Sequence, residues 1–397
     1  MRARKPSPLI LGLLAVGLGV RLLWVAVHPV EPISDFSEYH KHAATILHGY
    51  YSDTPGVSSA YWPPGWPAML AALYAVFGVH ARLGAFLGAT LDWGAVALAA
   101  VAACRLLRPR FAAGAVAAMC FYPGAIAFAP VLGTEHPAAL LFTGLVLLLA
   151  FYRPSPRTAL GAGLLAGALL LVRADYGVAG AAVTAVWLLR QAPRGRPVLA
   201  AVTVAGALVF LGPWIVRCAV TFGEFVPTSA NGGVNFYLGT LAPGYTESPE
   251  IARVGASSTR HPAARDRYWL RRGVENVADD PLRWIGLDVR RIYYQYKGET
   301  DLVDYGEVYR PAVRRAASVY WWAIVALAVV GFGALIATRG RVSPACTVIA
   351  ASIAVASVLK LAFAVNQRER LTLTYLLILV AAFGVQYTTS LLMRRTV

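Results

Sequence analysis

Long apolar runs constrain this chain more than any other feature of its sequence, because a bilayer core about 30 Å thick requires roughly 20 apolar residues per crossing helix. Runs near that length lie at Leu9–His28, Leu83–Leu107, Phe111–Val131, Pro137–Phe151, Val198–Val216, Ala316–Thr338, Thr347–Val365 and Leu371–Met393. Between Thr158 and Arg190, two shorter apolar runs flank Arg173 and Asp175 and predict a hairpin of short spans. The sequence therefore predicts an all-α polytopic membrane protein with about ten transmembrane helices.

Basic residues set the orientation of these helices. The loops after spans two, four, six and eight and both ends hold fifteen basic residues and no acidic ones, namely Arg2, Arg4, Lys5, Arg105, Arg108, Arg110, Arg153, Arg157, Arg190, Arg194, Arg196, Arg339, Arg341, Arg394 and Arg395. Lys and Arg in short loops mark the cytoplasmic side, so both termini are predicted to lie in the cytoplasm and the carboxylates outside, except the mid-span Asp92. The net charge of +16 is then explained by basic residues at the cytoplasmic ends of membrane helices. We therefore expect a protein of the cytoplasmic membrane without a nucleic-acid partner.

Two external segments, residues 29–82 and 217–315, are long enough to be structured. In the first, DFSEYHKHAATILHG has the spacing of an amphipathic helix, and PPGWPAMLAALYAVFG is too short for a span and suits the membrane interface. In the second, an irregular opening is followed by PLRWIGLDVRRIYYQYKGE, which predicts another interfacial amphipathic helix before the last three spans. The second segment has too few apolar runs for a large independent domain, so residues 1–397 are predicted to form a single transmembrane domain.

Carboxylates on the predicted external side could carry chemistry. Asp35 and Glu38 follow the first span one helical turn apart, where a partly desolvated carboxylate can act as a general base or bind a metal. An ordinary solvated helix start explains the same two residues. Glu135 and His136 follow the third span and precede Pro137, so Glu135 would face the same side as Asp35, although an acidic residue there also complements the helix dipole.

Ionisable residues inside the spans are costly in lipid and are therefore candidates for function. Arg173 and Asp175 lie at the tip of the predicted hairpin, and a structural salt bridge is the competing interpretation. Arg21 and Asp92 carry the same argument more weakly, because Arg21 could extend to the membrane surface and Asp92 could simply be paired. Arginines and carboxylates that converge on one wet face would suit a negatively charged lipid head group.

Motifs typical of soluble enzymes are missing from the sequence. It contains no glycine-rich phosphate loop, no GxSxG and no HExxH. Its four cysteines are scattered, without the spacing of a zinc site or a disulfide framework, and are interpreted as packing residues. The energy for a group transfer would then have to come from a lipid-borne donor.

Several short motifs follow one another in order along most of the chain. They are Asp35 with Tyr39, an A-x-x-L-x-x-G-like stretch from Ala44 in which Gly49 is displaced by one, AYWPPGWPAMLAALYAVFG, Thr134-Glu135, LLVRADYG and PWIVRCAVTFGEFVPTSANGGVNFYLG. Their order and spacing resemble the bacterial branch of the GT-C superfamily of polyprenyl-phosphate-sugar-dependent glycosyltransferases, akin to the protein O-mannosyltransferases and the lipid A aminoarabinose transferases.

This resemblance implies a GT-C fold and an inverting sugar transfer on the external face, from a polyprenyl-phosphate donor to a hydroxyl of a saccharide, lipid or protein. It implies that Asp35 is the base and that Glu135 supports the base or binds the acceptor or a metal. It also implies that Arg173 and Arg217 bind the donor phosphate. The other residues predicted to bind or support the substrates are Glu38, Tyr39, Trp62, His136, Asp175 and Asn231. No cofactor is certain, and a divalent cation at Asp35 and Glu135 stays open.

The sequence departs from the resembled pattern at three points. Phe36 stands where many relatives have a second acidic residue, which removes one ligand of a two-carboxylate metal site. Cys218 replaces the usual asparagine after Arg217. The C-terminal soluble domain of larger relatives has no counterpart in the predicted domain.

Two other classes of function fit parts of the sequence. A membrane transporter or lipid flippase would use Arg21, Asp92 and the Arg173 hairpin along its path, but its polar residues should lie near the midplane between repeated halves. The sequence shows no internal repeat. A non-catalytic assembly scaffold is the third class, and it predicts that an Asp35→Asn variant keeps its function.

Overall fold

The structure, a computed structural model, describes residues 5–52, 57–191, 194–244, 246–255, 261–338 and 343–395. Within these ranges the α-helices are α1 Pro8–Val27, α2 Ser34–Ile46, α3 Gly65–Phe77, α4 Ala81–Leu106, α5 Pro109–Cys120, α6 Pro123–Phe128, α7 Glu135–Phe151, α8 Pro156–Val172, α9 Ala174–Leu189, α10 Arg196–Phe222, α11 Gly232–Leu241, α12 Pro249–Val254, α13 Pro262–Asp279, α14 Pro281–Tyr296, α15 Asp301–Tyr305, α16 Pro311–Ala337, α17 Pro344–Leu359 and α18 Leu371–Arg395. Two short 3₁₀ turns, Lys360–Ala362 and Gln367–Arg370, join α17 to α18. Of the predicted cytoplasmic residues, Arg2, Arg4, Arg339 and Arg341 lie outside the described residues.

The described part of the chain has seven helical segments that are long and apolar enough to cross a membrane. They are Pro8–Val27, Ala81–Leu106, Pro109–Phe128, Arg196–Phe222, Pro311–Ala337, Pro344–Ala362 and Gln367–Met393. Three shorter apolar helices, α7, α8 and α9, occupy the positions of the remaining predicted spans. The predicted all-α polytopic membrane fold is therefore confirmed. Helix α3 has only 13 residues, in agreement with a position at the interface.

The third predicted span is interrupted near the end that leads into α7. The sequence predicts one apolar run over Phe111–Val131, but α5 ends at Cys120 and α6 begins at Pro123. Proline has no backbone N–H and disfavours helical backbone in the residue before it, so the helix stops and restarts there. The short α6 leads into the turn that places Glu135 at the start of α7.

Small residues allow α8 and α10 to pack closely. A Cβ added at Gly163 would lie 2.0 Å from the carbonyl oxygen of Thr203, and one added at Gly206 would lie 2.7 Å from that of Leu160. Glycine at these positions lets the two backbones approach each other, as in other membrane helix pairs with small residues at the interface. The contact fixes α8, whose C-terminal end leads into Arg173.

A buried ion pair ties α1 to α4 and α18 inside the membrane. Arg21 Nε donates to Asp92 Oδ2 at 2.9 Å, and the Tyr375 hydroxyl donates to Asp92 Oδ1 at 2.6 Å. Arg21 also donates to the carbonyl oxygens of Met119 and Cys120, and the Arg21 and Asp92 side chains are fully buried. Arg21 therefore does not extend to the membrane surface, and Asp92 is paired.

Short helices cover the end of the bundle at which α1 and α8 finish and α7 and α9 begin. Helices α2 and α3 come from the first predicted external segment, and α11 to α15 come from the second. Helix α14 agrees with the predicted amphipathic helix, because Leu282, Ile285, Val289 and Ile292 recur at helical spacing and are exposed. These helices enclose the space into which most of the predicted site residues point.

The second external segment is more ordered than its sequence indicates. Its opening is predicted to be irregular, whereas residues 232–241 form α11, which packs on α13. Asp266 of α13 accepts a hydrogen bond from the Gly233 N–H at 2.7 Å and so caps the first turn of α11. A cap supplied from another helix has no signature in the local sequence pattern, which explains the difference.

Candidate active site

A polar cavity of about 380 Å³ lies under the short helices that cover one end of the bundle, and its volume is within the range of about 300–1,000 Å³ that small-molecule sites occupy. Its walls come from α2, the chain before α3, the turn between α8 and α9, α11 and the two 3₁₀ turns. The predicted site residues that line it are Asp35, Tyr39, Trp62, Arg173, Asp175 and Asn231. Lys360, Arg368 and Glu369 line it as well.

Asp35 stands in the first turn of α2 and pairs with an arginine from the far end of the chain. Arg368 Nη2 donates to Asp35 Oδ2 at 2.5 Å, and the Ser34 hydroxyl donates to Asp35 Oδ1 at 3.0 Å. Ser34 has a φ of 49°, a left-handed backbone that is uncommon for a residue other than glycine, at the point where the chain turns into α2. The turn sets the direction of α2, so that Tyr39, one turn further on, lines the same cavity.

The surroundings of Asp35 favour its ionised form. Burial alone would raise the pKa of Asp35, but the charge of the Arg368 guanidinium and its hydrogen bond outweigh burial and hold the pKa below its ordinary value. Burial raises the pKa of the Tyr39 phenol, and the Asp35 carboxylate raises it further. An ionised carboxylate beside a protonated phenol can accept a proton from a bound hydroxyl while the phenol donates a hydrogen bond to it.

Glu135 lies beneath the cavity at the start of α7 and is almost completely buried. Its Oε1 accepts a hydrogen bond from Arg173 Nη1 at 2.7 Å and lies 3.4 Å from Arg368 Nε. Its Oε2 is buried and has no hydrogen-bond partner among the residues that the structure describes. Because buried acceptors are usually satisfied, this oxygen has free capacity for a hydroxyl or a water molecule.

A second group of ion pairs closes the opposite side of the cavity. Lys360 Nζ pairs with Asp175 Oδ2 at 2.6 Å and with Glu369 Oε2 at 2.5 Å. Arg173 lies 3.4 Å from Asp175 and 3.0 Å from Glu369. Tyr176 supports the group, because its hydroxyl donates to the Glu369 carbonyl oxygen and both cations lie over its ring.

The Gln367–Arg370 turn carries Arg368 and Glu369 into the cavity and is anchored from behind. The buried Arg370 donates to two carbonyl oxygens at the end of α14 and lies 3.0 Å from Glu299. Glu299 also accepts a hydrogen bond from the hydroxyl of Tyr122, a buried residue in the turn between α5 and α6. The two charged residues in the cavity are therefore held by contacts with elements distant in sequence.

Besides Glu135, which lies beneath the cavity, two predicted site residues on elements that border the cavity do not line it. Glu38 lies on the other side of α2, where its carboxylate pairs with Lys41 at 2.7 Å. His136 is fully buried against the ring of Phe128, and its Nε2 lies 3.1 Å from the carbonyl oxygen of Val131. Neither residue is placed to touch a molecule bound in the cavity.

Arg217 lines a separate groove. Its guanidinium donates to the carbonyl oxygens of Ser59 at 2.6 Å and Tyr51 at 3.1 Å, and it lies over the ring of Trp214. These contacts hold the chain before α3 against α10. The N–H groups of Arg217 that were expected to bind phosphate thus donate to backbone carbonyl oxygens. The structure does not bring Arg217 and Arg173 together around one cavity.

The groove lined by Arg217 has a volume of about 930 Å³ and runs between α3, α7, α8 and α10. Most of its lining is apolar, as at Met69, Leu140 and Leu171, and the polar groups lie near Arg217. Val172 lines both this apolar groove and the polar cavity. An apolar groove that meets a charged cavity suits an amphiphile with a hydrocarbon tail and an ionic head.

Lys360, Arg368 and Glu369 are the cavity residues that sequence reasoning missed. A signal was available, because NQRER lies between the last two predicted spans and topology places it on the same side as Asp35. The ring of Phe36, the residue at the first departure from the resembled pattern, lies 4.5 Å from the Arg368 guanidinium carbon. An aromatic residue there supports the arginine that pairs with Asp35.

A metal ion at Asp35 and Glu135 remains a prediction. Arg368 pairs with both carboxylates, at 2.5 Å and 3.4 Å. Within the described ranges, no group of three or more His, Cys, Asp and Glu side chains is arranged to hold a metal ion. A divalent cation that bridged the two carboxylates would take the place of the guanidinium.

No protein-family model matches the sequence, and no curated protein matches it. Three solved structures are similar in fold. ArnT from Cupriavidus metallidurans bound to undecaprenyl phosphate is 15% identical over 96% of this chain and 78% of that chain, with a TM-score of 0.44. The same protein in the apo state is 14% identical over 95% and 77%, with a TM-score of 0.47. An oligosaccharyltransferase from Archaeoglobus fulgidus, tethered with an acceptor peptide containing the NVT sequon, is 12% identical, with a TM-score of 0.53.

The likeness to the archaeal oligosaccharyltransferase covers 97% of this chain and 50% of that one, so the chain spans half the length of that protein. At this level of identity the likeness concerns the fold alone. The chain is a multi-pass membrane protein that shares the fold of this oligosaccharyltransferase, and the fold implied by the sequence motifs is confirmed.

Proposed function

We propose that this chain is an inverting glycosyltransferase that moves a sugar from a polyprenyl-phosphate donor to an acceptor hydroxyl. The observation that carries the proposal is a cavity containing the ionised Asp35 that meets an apolar groove at Val172. The fold shared with an oligosaccharyltransferase supports the general kind of reaction. The acceptor is a hydroxyl of a saccharide, a lipid or a protein.

Asp35 is the base in this proposal. The acceptor hydroxyl gives its proton to Asp35 while its oxygen forms a bond to the anomeric carbon of the sugar. The bond from that carbon to the phosphate oxygen breaks on the opposite side, and its electron pair leaves with the polyprenyl phosphate. Attack opposite the leaving group inverts the configuration without a covalent enzyme intermediate, and Asp35 then loses its proton to water.

The donor spans the two adjoining spaces, whose walls share Val172. Its hydrocarbon chain occupies the apolar groove between α3, α7, α8 and α10, where van der Waals packing holds it, because a chain that comes from lipid gains no transfer energy from water. Its phosphate lies in the cavity, where Arg173 retains its predicted role as a ligand of the phosphate oxygens. Arg217 contributes indirectly, because it fixes the chain that separates the groove from the cavity.

The wall of the cavity opposite the ion pairs is suited to a sugar. Trp62 and Tyr39 present aromatic rings that pack edge to face, and Asn231 contributes an amide. Aromatic faces cover the apolar side of a sugar ring, and an amide both donates to and accepts from hydroxyl groups. The positive-inside pattern of the loops supports a location of this cavity on the non-cytoplasmic face of the cell membrane.

The proposal is tested by transfer from radiolabelled polyprenyl-phosphate sugars in membranes that contain the protein. Asp35→Asn should lower transfer by about 10²- to 10⁴-fold, the contribution of a general base, with normal expression. The matched control is Asp304→Asn, the same change in an exposed pair with Arg314. Full activity of Asp35→Asn would refute the base and favour a scaffold. Addition of a chelator to the same assay tests whether a divalent cation takes part.

A second experiment tests the position of the donor chain. Ala168 lines the apolar groove, so Ala168→Trp should fill it and raise the KM for an undecaprenyl donor by roughly tenfold or more. A geranyl donor, whose chain is short, should be affected less. Val204→Trp on the exposed side of α10 is the control. Equal effects on both donors would place the chain elsewhere.

A further inference from the structure

We infer that Arg368 is shared between Asp35 and the donor phosphate, so that binding of the donor draws Arg368 away and releases Asp35 as the base. The inference rests on the proposed function and adds a residue and an order of events to it. Arg368 is then a phosphate ligand, and the Asp35–Arg368 pair is a resting state that exists only while the donor is absent.

Arg368 is the cation of the cavity with the fewest close partners. Arg173 and Lys360 each donate hydrogen bonds to two carboxylates. Arg368 donates to one carboxylate, Asp35, and its Nε lies 3.4 Å from a second, Glu135, without a hydrogen bond. Withdrawal of Arg368 from Asp35 would leave the other ion pairs of the cavity intact, whereas Lys360 could not leave its carboxylates without breaking two pairs. Arg173 stays within its network of carboxylates and meets the phosphate from there.

The guanidinium is held by its face, which leaves its edges to bind anions. The rings of Phe36 and Tyr305 lie 4.5 and 4.8 Å from its central carbon. Arginine presents two parallel N–H groups that match either a carboxylate or a phosphate, so the same side chain can serve both anions in turn. A small change of side-chain torsion on this aromatic support is enough to exchange one partner for the other.

The charges of the cavity make such an exchange necessary. Four carboxylates and three cations take part in its ion pairs, a formal charge of −1 before any donor is bound. A phosphodiester donor adds another negative charge and has to take a cation from a carboxylate already present. Asp35 becomes a stronger proton acceptor when Arg368 leaves it, because a carboxylate paired with arginine is a weak proton acceptor.

A double-mutant cycle on ligand binding tests the inference without any transfer reaction. The probe is undecaprenyl phosphate, titrated into the full-length protein in nanodiscs, with undecaprenol as the uncharged comparison. Asp35→Asn removes the competing carboxylate and should tighten binding of undecaprenyl phosphate by roughly three- to one-hundredfold, the range of coupling between contacting residues. Arg368→Gln should weaken binding, and in the double variant the gain from Asp35→Asn should disappear.

The cycle separates exchange of Arg368 from simple repulsion between Asp35 and the phosphate. Repulsion alone would make Asp35→Asn equally favourable with and without Arg368, and that result would overturn the inference, as would unchanged or weaker binding by Asp35→Asn. Arg368→Lys keeps the charge and should bind better than Arg368→Gln if the Gln variant folds poorly. Binding of undecaprenol should not respond to these changes, nor should Arg272→Gln on the exposed surface affect either probe.

The inference and the proposed function can fail separately. If transfer is never observed but the cycle is non-additive, the phosphate site stands and the glycosyltransferase proposal falls. If transfer depends on Asp35 but the cycle is additive, the enzyme stands and Arg368 is a structural partner of Asp35 only.

Discussion

Two clusters of charged and polar side chains differ in access. One lies among the membrane helices, and the other lies beneath the short helices that cover one end of the bundle. Arg21, Asp92 and Tyr375 are fully buried, and the guanidinium is further bonded to backbone carbonyl oxygens. The Asp35 side chain is 26% exposed and pairs with Arg368 beside a cavity. A closed pair can only hold helices together, whereas a pair beside a cavity can exchange a partner for a ligand.

The largest effect should come from breaking the closed pair. Asp92→Leu leaves the Arg21 guanidinium buried without its carboxylate, which should lower the free energy of unfolding by about 3–5 kcal/mol. The midpoint of thermal unfolding of the purified protein and its yield in membranes measure this. Arg21→Met combined with Asp92→Leu should recover much of the loss, because no buried charge is then left without a partner.

The same variants separate a structural pair from a transport path. If the pair only joins α1, α4 and α18, the double variant should fold and retain the transfer activity of the external cavity. A stable double variant that had lost all activity would contradict a purely structural role for the pair. It would favour the transporter interpretation, in which Arg21 and Asp92 lie along the substrate's route.

A smaller loss of stability should follow the removal of one cation from the ion pairs that line the cavity. Lys360→Met removes one cation from Asp175 and Glu369 but keeps the apolar stem that lies over Tyr176. Arg173 still pairs with both carboxylates, so the loss should be about 1–2 kcal/mol, less than for Asp92→Leu. Thermal unfolding measures the difference, and a loss as large as that of Asp92→Leu would show that the cavity network is as closed as the membrane pair.

The membrane helices could be predicted from the sequence, because an apolar run is a local signal, whereas the break between α5 and α6 and the helix α11 were not predicted. The run from Thr158 to Arg190, for example, contains its own interruption, and the structure places Arg173 between α8 and α9 at that point. The pairing of the site could not be predicted in the same way. Asp35 and Arg368 are 333 residues apart, and Lys360 and Asp175 are 185 apart, so no local spacing records that they meet.

Residue type alone also misleads where a side chain can satisfy two kinds of partner. An arginine after a span matches a phosphate ligand and a backbone anchor equally well in sequence, and Arg217 binds carbonyl oxygens. A histidine beside a candidate acid matches a substrate ligand, yet His136 is enclosed by Phe128 and Val131. Tertiary packing rather than local sequence determines which partner such a side chain contacts.

The pH dependence of transfer should report directly on the pair between Asp35 and Arg368. Because Arg368 lowers the pKa of Asp35, the base stays ionised and kcat/KM should stay high until the pH falls below the ordinary range of an aspartate. In Arg368→Gln the largest effect that opposes burial is removed and only hydrogen bonds such as that from Ser34 still oppose it, so the pKa of Asp35 should rise and the loss of kcat/KM on acidification should occur at higher pH. An unchanged acidic limb in this variant would mean that Asp35 does not set it.

The smallest effect should come from Glu38, which the sequence groups with Asp35 but the structure separates from it. Glu38 pairs with Lys41, whose side chain is 54% exposed, and exposed pairs of this kind contribute about 0–1 kcal/mol. Glu38→Gln should therefore change stability by less than about 0.5 kcal/mol and leave kcat and KM within about twofold of the unmodified protein. The two carboxylates are three residues apart on α2, so a strong loss of activity in Glu38→Gln would mean that the helix rotates when substrate binds and brings Glu38 to the cavity.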